Sequence, residues 1–219
     1  MKKILLSVAA IALFLSAAKA QDKAFKKGDI TVDLGAGLDI YGTQIHQEIF
    51  GYSFDTTDAA GGSHFPLKAE YGVTNWLGVG ARFNFSNFVE ETDSITKIKP
   101  TTRGFDAGLV VNFHLVKSRR FDMPLSLTFG YSHFSIHSND TANTLAKSKG
   151  LGYGISLMPR IYFGDHIGMF FNVGYMGYSY PDFRYSNNRY SDLNELWGDA
   201  KVSIKANGMN IGIGVIGKF

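Results

Sequence analysis

The chain has no cysteine in its 219 residues. That excludes disulfide staples, thiolate metal sites and a lipid anchor carried on a processed cysteine, so its stability must come from elsewhere. Long apolar runs are almost as scarce. The one present, residues 4–18, follows Lys2 and Lys3 and ends in Ala18-Lys19-Ala20. It is shorter than the roughly 20 residues a membrane helix needs, and a basic start with an Ala-x-Ala end is the layout of a secretory signal. Residues 1–20 are therefore read as a signal peptide cleaved after Ala20, and 21–219 as one exported domain beginning at Gln21.

An excess of charge of one sign is missing too. The formal charge of +3 comes from the signal, because Lys2, Lys3 and Lys19 lie within it and the remainder holds nineteen basic and nineteen acidic residues. A balanced chain offers no cationic face for a phosphate backbone, so no nucleic-acid partner is expected. The six histidines, His46, His64, His114, His133, His137 and His166, show no spacing that gathers several beside a carboxylate on one strand face, apart from the weak His133 and His137 pair, which argues against zinc. Glycines alternate within apolar segments and form no phosphate cradle between a strand and a helix, so no nucleotide site is indicated and no cofactor is expected.

What is present in quantity is aromatic residues, at 14%, and glycine, at 25 positions. With a mean hydropathy of −0.04, the apolar residues are scattered rather than gathered into helix-length blocks. Their spacing is two. In 29–42, Ile30, Val32, Leu34, Ala36, Leu38 and Ile40 alternate with Asp29, Thr31, Asp33, Gly35, Gly37 and Asp39, a period that builds a strand with one apolar and one polar face. The same alternation recurs in 65–73, 77–85, 105–115, 125–131, 151–163, 169–175 and 209–219. After an exported start, a chain that spans lipid this way must close its strands on themselves, since an open edge would leave backbone groups unsatisfied. The predicted fold is all-β, an eight-stranded antiparallel transmembrane barrel with up-and-down meander connectivity. Connections near Thr74-Asn75, 117–122 and Gly164-Asp165 are short; those at 43–63, 87–101, 137–149 and 179–201 are long. Short connections are expected on the periplasmic side and long ones outside.

The signal, the alternating strands, the phrase Glu70-Tyr71-Gly72-Val73-Thr74-Asn75-Trp76-Leu77 around a short turn and the closing Gly217-Lys218-Phe219 together resemble the OmpA-like and OmpX-like class of small outer-membrane barrels. The resemblance implies a bacterial outer-membrane location, with outer-membrane lipid and lipopolysaccharide around the barrel. It also implies that the terminal aromatic Phe219 is part of the signal read by the barrel-insertion machinery. No peptidoglycan-binding segment follows the barrel here, so cell-wall tethering of that kind is not expected.

A barrel of this size is filled by its own side chains. The inward set includes Asp33, Asp39, Lys68, Glu70, Arg82, Asp106, His114 and Arg160. Of these, Asp33, Lys68, Glu70, Arg82, Asp106 and Arg160 are the expected polar network of the lumen, with Glu70 and Arg82 expected to pair across the Thr74-Asn75 hairpin. Such a network either neutralises buried charge or gates a narrow channel. Tyr41, Trp76, Phe163, Phe171, Tyr175 and Phe219 are expected outside, as a girdle at headgroup level. In the last long connection, Tyr180, Phe183, Tyr185, Arg189 and Tyr190 are candidates for contacting an extracellular protein or glycan, or else continue the hairpin. His133 and Ser135 are similar to the His-x-Ser pair of outer-membrane lipid A deacylases, which would make Ser135 a nucleophile and His133 its base. Two features of that family are absent: Ile136 rather than Asn follows Ser135, and no glutamate lies between Glu91 and Glu195. The reading is a non-enzymatic, porin-like outer-membrane barrel with a structural or surface-recognition role. The alternatives are a narrow channel or small-ligand carrier, and a lipid A-modifying esterase.

Overall fold

A computed structural model describes residues 24–49, 51–89, 100–138, 144–185 and 201–219. Its strands are β1 (Ile30–Ile49), β2 (Tyr52–Gly72), β3 (Leu77–Val89), β4 (Pro100–Lys117), β5 (Phe121–Ser138), β6 (Thr144–Leu157), β7 (Arg160–Tyr162), β8 (Ile167–Tyr185) and β9 (Lys201–Lys218). They pair antiparallel in the order β4-β3-β2-β1-β9-β8-β6-β5, and a β4–β5 ladder closes the ring. The short β7 continues β6 past Met158 and Pro159 and pairs with the same neighbours, β5 and β8, so the ring has eight staves. Closure removes every sheet edge and lets the spanning backbone bond to itself.

The side chains are arranged inside out compared with a water-soluble protein. On β1, Leu34 is 57% exposed and Ile40 71%, whereas their chain neighbours Asp33 and Asp39 are 2% and 3% exposed. The outward set on the other staves is likewise apolar, including Phe83, Leu109, Phe129, Tyr153, Phe171 and Ile213. Hydrocarbon, not water, is the medium in which that surface is stable. Among the described residues no helix is long and apolar enough to cross a membrane.

At the end carrying the termini the connections are tight. Between β2 and β3, Val73 N–H donates to Leu77 O at 3.0 Å and Leu77 N–H to Thr74 Oγ1 at 3.0 Å. Phe219 exchanges two backbone bonds with Ile30, of 2.8 and 3.0 Å, knitting the last residue to the first strand. At the opposite end the strands run further than expected. Most of the 43–63 connection is strand: β1 and β2 remain paired from Thr43↔Asp58 to Ile49↔Tyr52 and turn at Gly51, whose φ of 80° suits glycine. The 137–149 and 179–201 connections shorten similarly, as β5 reaches Ser138, β6 starts at Thr144 and β8 reaches Tyr185. Cross-strand hydrogen bonds persist wherever both chains can stay extended, and polarity alone does not end a strand.

One glycine pair positions the lumen's packing. A Cβ on Gly35 would fall 2.8 Å from the ring of Phe170, and one on Gly214 would fall 2.6 Å from it. Both glycines leave the room that Phe170 occupies, and Phe170 joins Ala24, Met158, Tyr162 and Ile216 in an apolar cluster inside the barrel. The segment before β1 completes this cluster's surroundings. Ala24 N–H donates to Ser118 O at 2.7 Å, Gly28 N–H to Gly72 O at 2.8 Å, and Phe25 is fully buried.

Candidate functional site: a lumen in two storeys

The lower storey is a closed ion network. Arg160, presented by β7, donates through Nη2 to Asp33 Oδ2 on β1 at 3.1 Å and to Glu70 Oε2 on β2 at 2.9 Å, and through Nη1 to Asp122 Oδ2 on β5 at 3.4 Å. His114 on β4 bridges the same acids, with Nε2 2.8 Å from Glu70 and Nδ1 2.8 Å from Asp122. All five side chains are at most 2% exposed. Phe25 lies flat on the His114 ring, centroid to centroid 3.4 Å. A charge buried this deeply is tolerable only with partners on several sides, and the ring of strands supplies them from five staves.

Glu70 and Arg82 do not pair across the hairpin. The turn sets the register so that Glu70 stands opposite Gly80, while Arg82 stands opposite Lys68. Glu70 reaches across the lumen to Arg160 and His114 instead, and Thr31 Oγ1 donates to it at 3.2 Å. Symmetry about a turn in sequence is a poor guide when the four residues between Gly72 and Leu77 fix a different offset. The two cations brought together lie against thioethers: Lys68 Nζ is 3.6 Å from Met158 Sδ, and Arg82 Nη1 is 3.9 Å from Met176 Sδ.

The upper storey is open. A cavity of about 570 Å³ is lined by side chains of β1, β2, β3, β5 and β8 among others. Asp106 is at its floor. It accepts from Ser132 Oγ at 2.6 Å, from Asn84 Nδ2 at 3.0 Å and from Tyr178 Oη at 3.1 Å. Because the Ser132 hydroxyl donates to Asp106, the 2.7 Å contact between Ser132 Oγ and Tyr180 Oη is a donation from Tyr180. Tyr41 Oη donates to Asp39 Oδ1 at 3.1 Å, and His64 Nδ1 lies 2.9 Å from that same oxygen. The tyrosine rings form a continuous wall. Tyr41 meets Tyr178 edge-on at 5.6 Å, Tyr178 stacks on Tyr180 at 6.1 Å, and Tyr180 meets Phe134 edge-on at 4.7 Å.

Several sequence-derived placements change accordingly. Tyr41 is not a girdle residue; it shares the inward parity of Asp39 and is 3% exposed. Tyr180 and Phe183 are not loop-surface residues. They lie on β8, where Tyr180 is buried and Phe183 packs against Phe134 at 6.2 Å. An extra residue in β8, between Ser179 opposite Leu151 and Asp182 opposite Lys149, flips the parity so that both rings turn inward. Tyr185 is the last residue of β8, and Arg189 and Tyr190 lie outside the described residues. His133 Nδ1 donates to Ser148 O at 2.8 Å, and it is His137, through Nε2, that lies 3.0 Å from Ser135 Oγ. Among the described residues no carboxylate pairs with His137 and no cluster suited to a metal ion occurs. Phe219 is 75% exposed on the outer face. Asp122, placed by sequence in a turn, is a fully buried member of the ion network; its alternation with Pro124 and Ser126 is the signal that marks it as inward.

Comparison with known proteins agrees with this architecture. OprG of Pseudomonas aeruginosa superposes with a TM-score of 0.55 at 15% identity, covering 89% of this chain and 97% of that one. Ail of Yersinia pestis gives 0.39 at 16% identity over 88% and 99% of the two chains. The outer membrane protease OmpT of Escherichia coli gives 0.42 at 10% over 92% and 99%. The likeness to OprG speaks to fold alone, and the other two carry no argument. No curated protein matches the chain. The sequence model of the outer membrane protein beta-barrel domain matches residues 7–216. A ring of eight strands with an apolar outside, a polar inside and that match over nearly its whole length makes this chain a member of the outer membrane protein beta-barrel family, located in the bacterial outer membrane.

Proposed function

We propose that this protein is a non-enzymatic recognition barrel that holds a small ligand in its outer cavity and does not pass it through. The observation that carries this reading is the contrast between the two storeys. A cavity of about 570 Å³ opens at the end away from the termini, and the ion network around Arg160 with Phe25 beneath it fills the bore at the other. In barrels of this family the short turns face the periplasm, so the cavity faces the outside. Its size falls within the roughly 300–1,000 Å³ typical of small-molecule pockets. A narrow channel would require the Arg160 cluster to part, leaving buried charges without partners.

The esterase alternative has less support, because the Ser135 and His137 pair has no orienting acid among the described residues. Expression of the wild-type protein is expected to leave the mass of lipid A unchanged; a change in that mass that Ser135→Ala abolishes would favour the esterase.

The absence of cysteine makes a direct test clean. Single-cysteine variants Ala60→Cys, in the cavity, and Asp165→Cys, in the exposed turn between β7 and β8 at the end carrying the termini, are expressed in intact cells and exposed to a membrane-impermeant maleimide. The first is expected to label and the second to stay unmodified until the outer membrane is breached. Equal labelling of both would mean an open bore, and failure of Ala60→Cys to label would mean that the cavity does not face outward.

A further inference from the structure

We propose that the outer cavity is built for an organic cation, a small ammonium group carrying an apolar body; this rests on the reading of the cavity as a ligand site. Three features point to it. First, the described side chains lining the cavity include two carboxylates, Asp58 and Asp106, and no lysine, arginine or histidine. Neither carboxylate is in an ion pair with another described residue. Asp106 is held by three neutral donors, Ser132, Asn84 and Tyr178, which fix its orientation without cancelling its charge. Asp58 stands opposite Thr43 at the level where the wall begins to open, and its Oδ1 accepts from Ala59 N–H at 2.7 Å.

Second, the wall is aromatic. Tyr41, Phe88, Phe134, Tyr178 and Tyr180 all line the same cavity, with neighbouring rings 4.7–6.1 Å apart. Several rings around one space are the environment in which a quaternary or alkylated ammonium is attracted to negative π faces.

Third, the tyrosine hydroxyls have their protons turned away from a ligand. Tyr178 donates to Asp106, Tyr180 to Ser132 and Tyr41 to Asp39. The tyrosines therefore offer ring faces and acceptor lone pairs, which suit a cation and repel a carboxylate or sulfonate. The cations of the lumen, Lys68 and Arg82, sit below on β2 and β3 and are not part of the cavity lining, although Arg82 shares a small pocket beneath it with Asp106 and Tyr178 without forming an ion pair.

The test uses the full barrel in nanodiscs of zwitterionic lipid, with empty nanodiscs subtracted, and calorimetric titration of three probes of similar size: benzyltrimethylammonium, benzyl alcohol and phenylacetate. The ammonium is expected to bind saturably and at least tenfold more tightly than the alcohol, and phenylacetate to show no saturable binding. Asp58→Asn and Asp106→Asn are each expected to weaken the ammonium severalfold. Asp58 is exposed, so its variant keeps the test valid should the half-buried Asp106 variant fail to fold. Thr43→Trp, which fills the cavity, is expected to abolish binding. Alcohol or phenylacetate binding as tightly as the ammonium would overturn the cation assignment while leaving the cavity a ligand site. Absence of saturable binding by any probe would also overturn it, and the cysteine-labelling result would then decide separately whether the cavity faces outward. Ammonium binding that survives both Asp substitutions unchanged would overturn the assignment of the carboxylates.

Discussion

Arg160 is the residue whose loss should be felt most. It lies fully buried among Asp33, Glu70 and Asp122, and removing it leaves three buried acids facing His114 and the more distant Lys68. Arg160→Ala is expected to destabilise the barrel by about 3–5 kcal/mol. The measure is the temperature at which the folded, fast-migrating band on an unboiled gel is lost. A shift no larger than that of a surface substitution would contradict the network. The partner assignment is tested more sharply by double-mutant cycles. Glu70 and Arg160, 2.9 Å apart, should couple by roughly 1–3 kcal/mol, whereas Glu70 and Arg82, which stand in different cross-strand pairs, should couple by a few tenths at most. Coupling of the second pair as large as the first would restore the hairpin pairing expected from sequence.

At the scale of single strands, the close approach of Phe170 to β1 and β9 is the constraint. A methyl on Gly214 would lie 2.2 Å from the Leu34 carbonyl oxygen and 2.6 Å from the Phe170 ring. Backbone atoms on a closed ring cannot retreat far, so Gly214→Ala is expected to cost about 1–3 kcal/mol, and Phe170→Leu in the same chain to recover part of it. Full stability of the Gly214→Ala barrel in the same gel assay would show that the ring gives way more easily than its geometry suggests. Gly164 has nothing within 4 Å of an added Cβ, which makes Gly164→Ala the matching control, expected to be near neutral. The extra residue in β8 acts at this scale too. It turns Tyr180 and Phe183 to the same side, and without it the aromatic wall would end one residue earlier.

For the molecule as a whole, the two storeys predict a barrel that holds its fold in detergent and conducts poorly. Planar bilayers containing the wild-type protein are expected to show no stable stepwise conductance, because the Arg160 network and Phe25 together close the bore. Regular wild-type steps that vanish with Glu70→Ala would favour the channel reading over the recognition barrel.

The legibility of this protein in its sequence follows from the solvent on each side of the wall. Lipid outside and a polar bore inside impose a period of two on every spanning strand, so Leu34 and Ile40 could be told from Asp33 and Asp39 without coordinates. The eight staves and the inward placement of Lys68, Glu70, Asp106 and Arg160 are readable on that basis, and the outer-membrane location follows once the signal and the resemblance to small outer-membrane barrels are added. Above the lipid the outer face of β1 and β2 turns polar, yet the parity runs on: Tyr41 faces inward with Asp39, and Tyr180 continues the hairpin as a buried residue of β8 instead of a loop contact. The sequence by itself determined the barrel and the membrane it sits in. Only the tertiary structure decided which charges meet, because Glu70 and Arg160, 90 positions apart, are brought together by ring closure and register rather than by any local pattern.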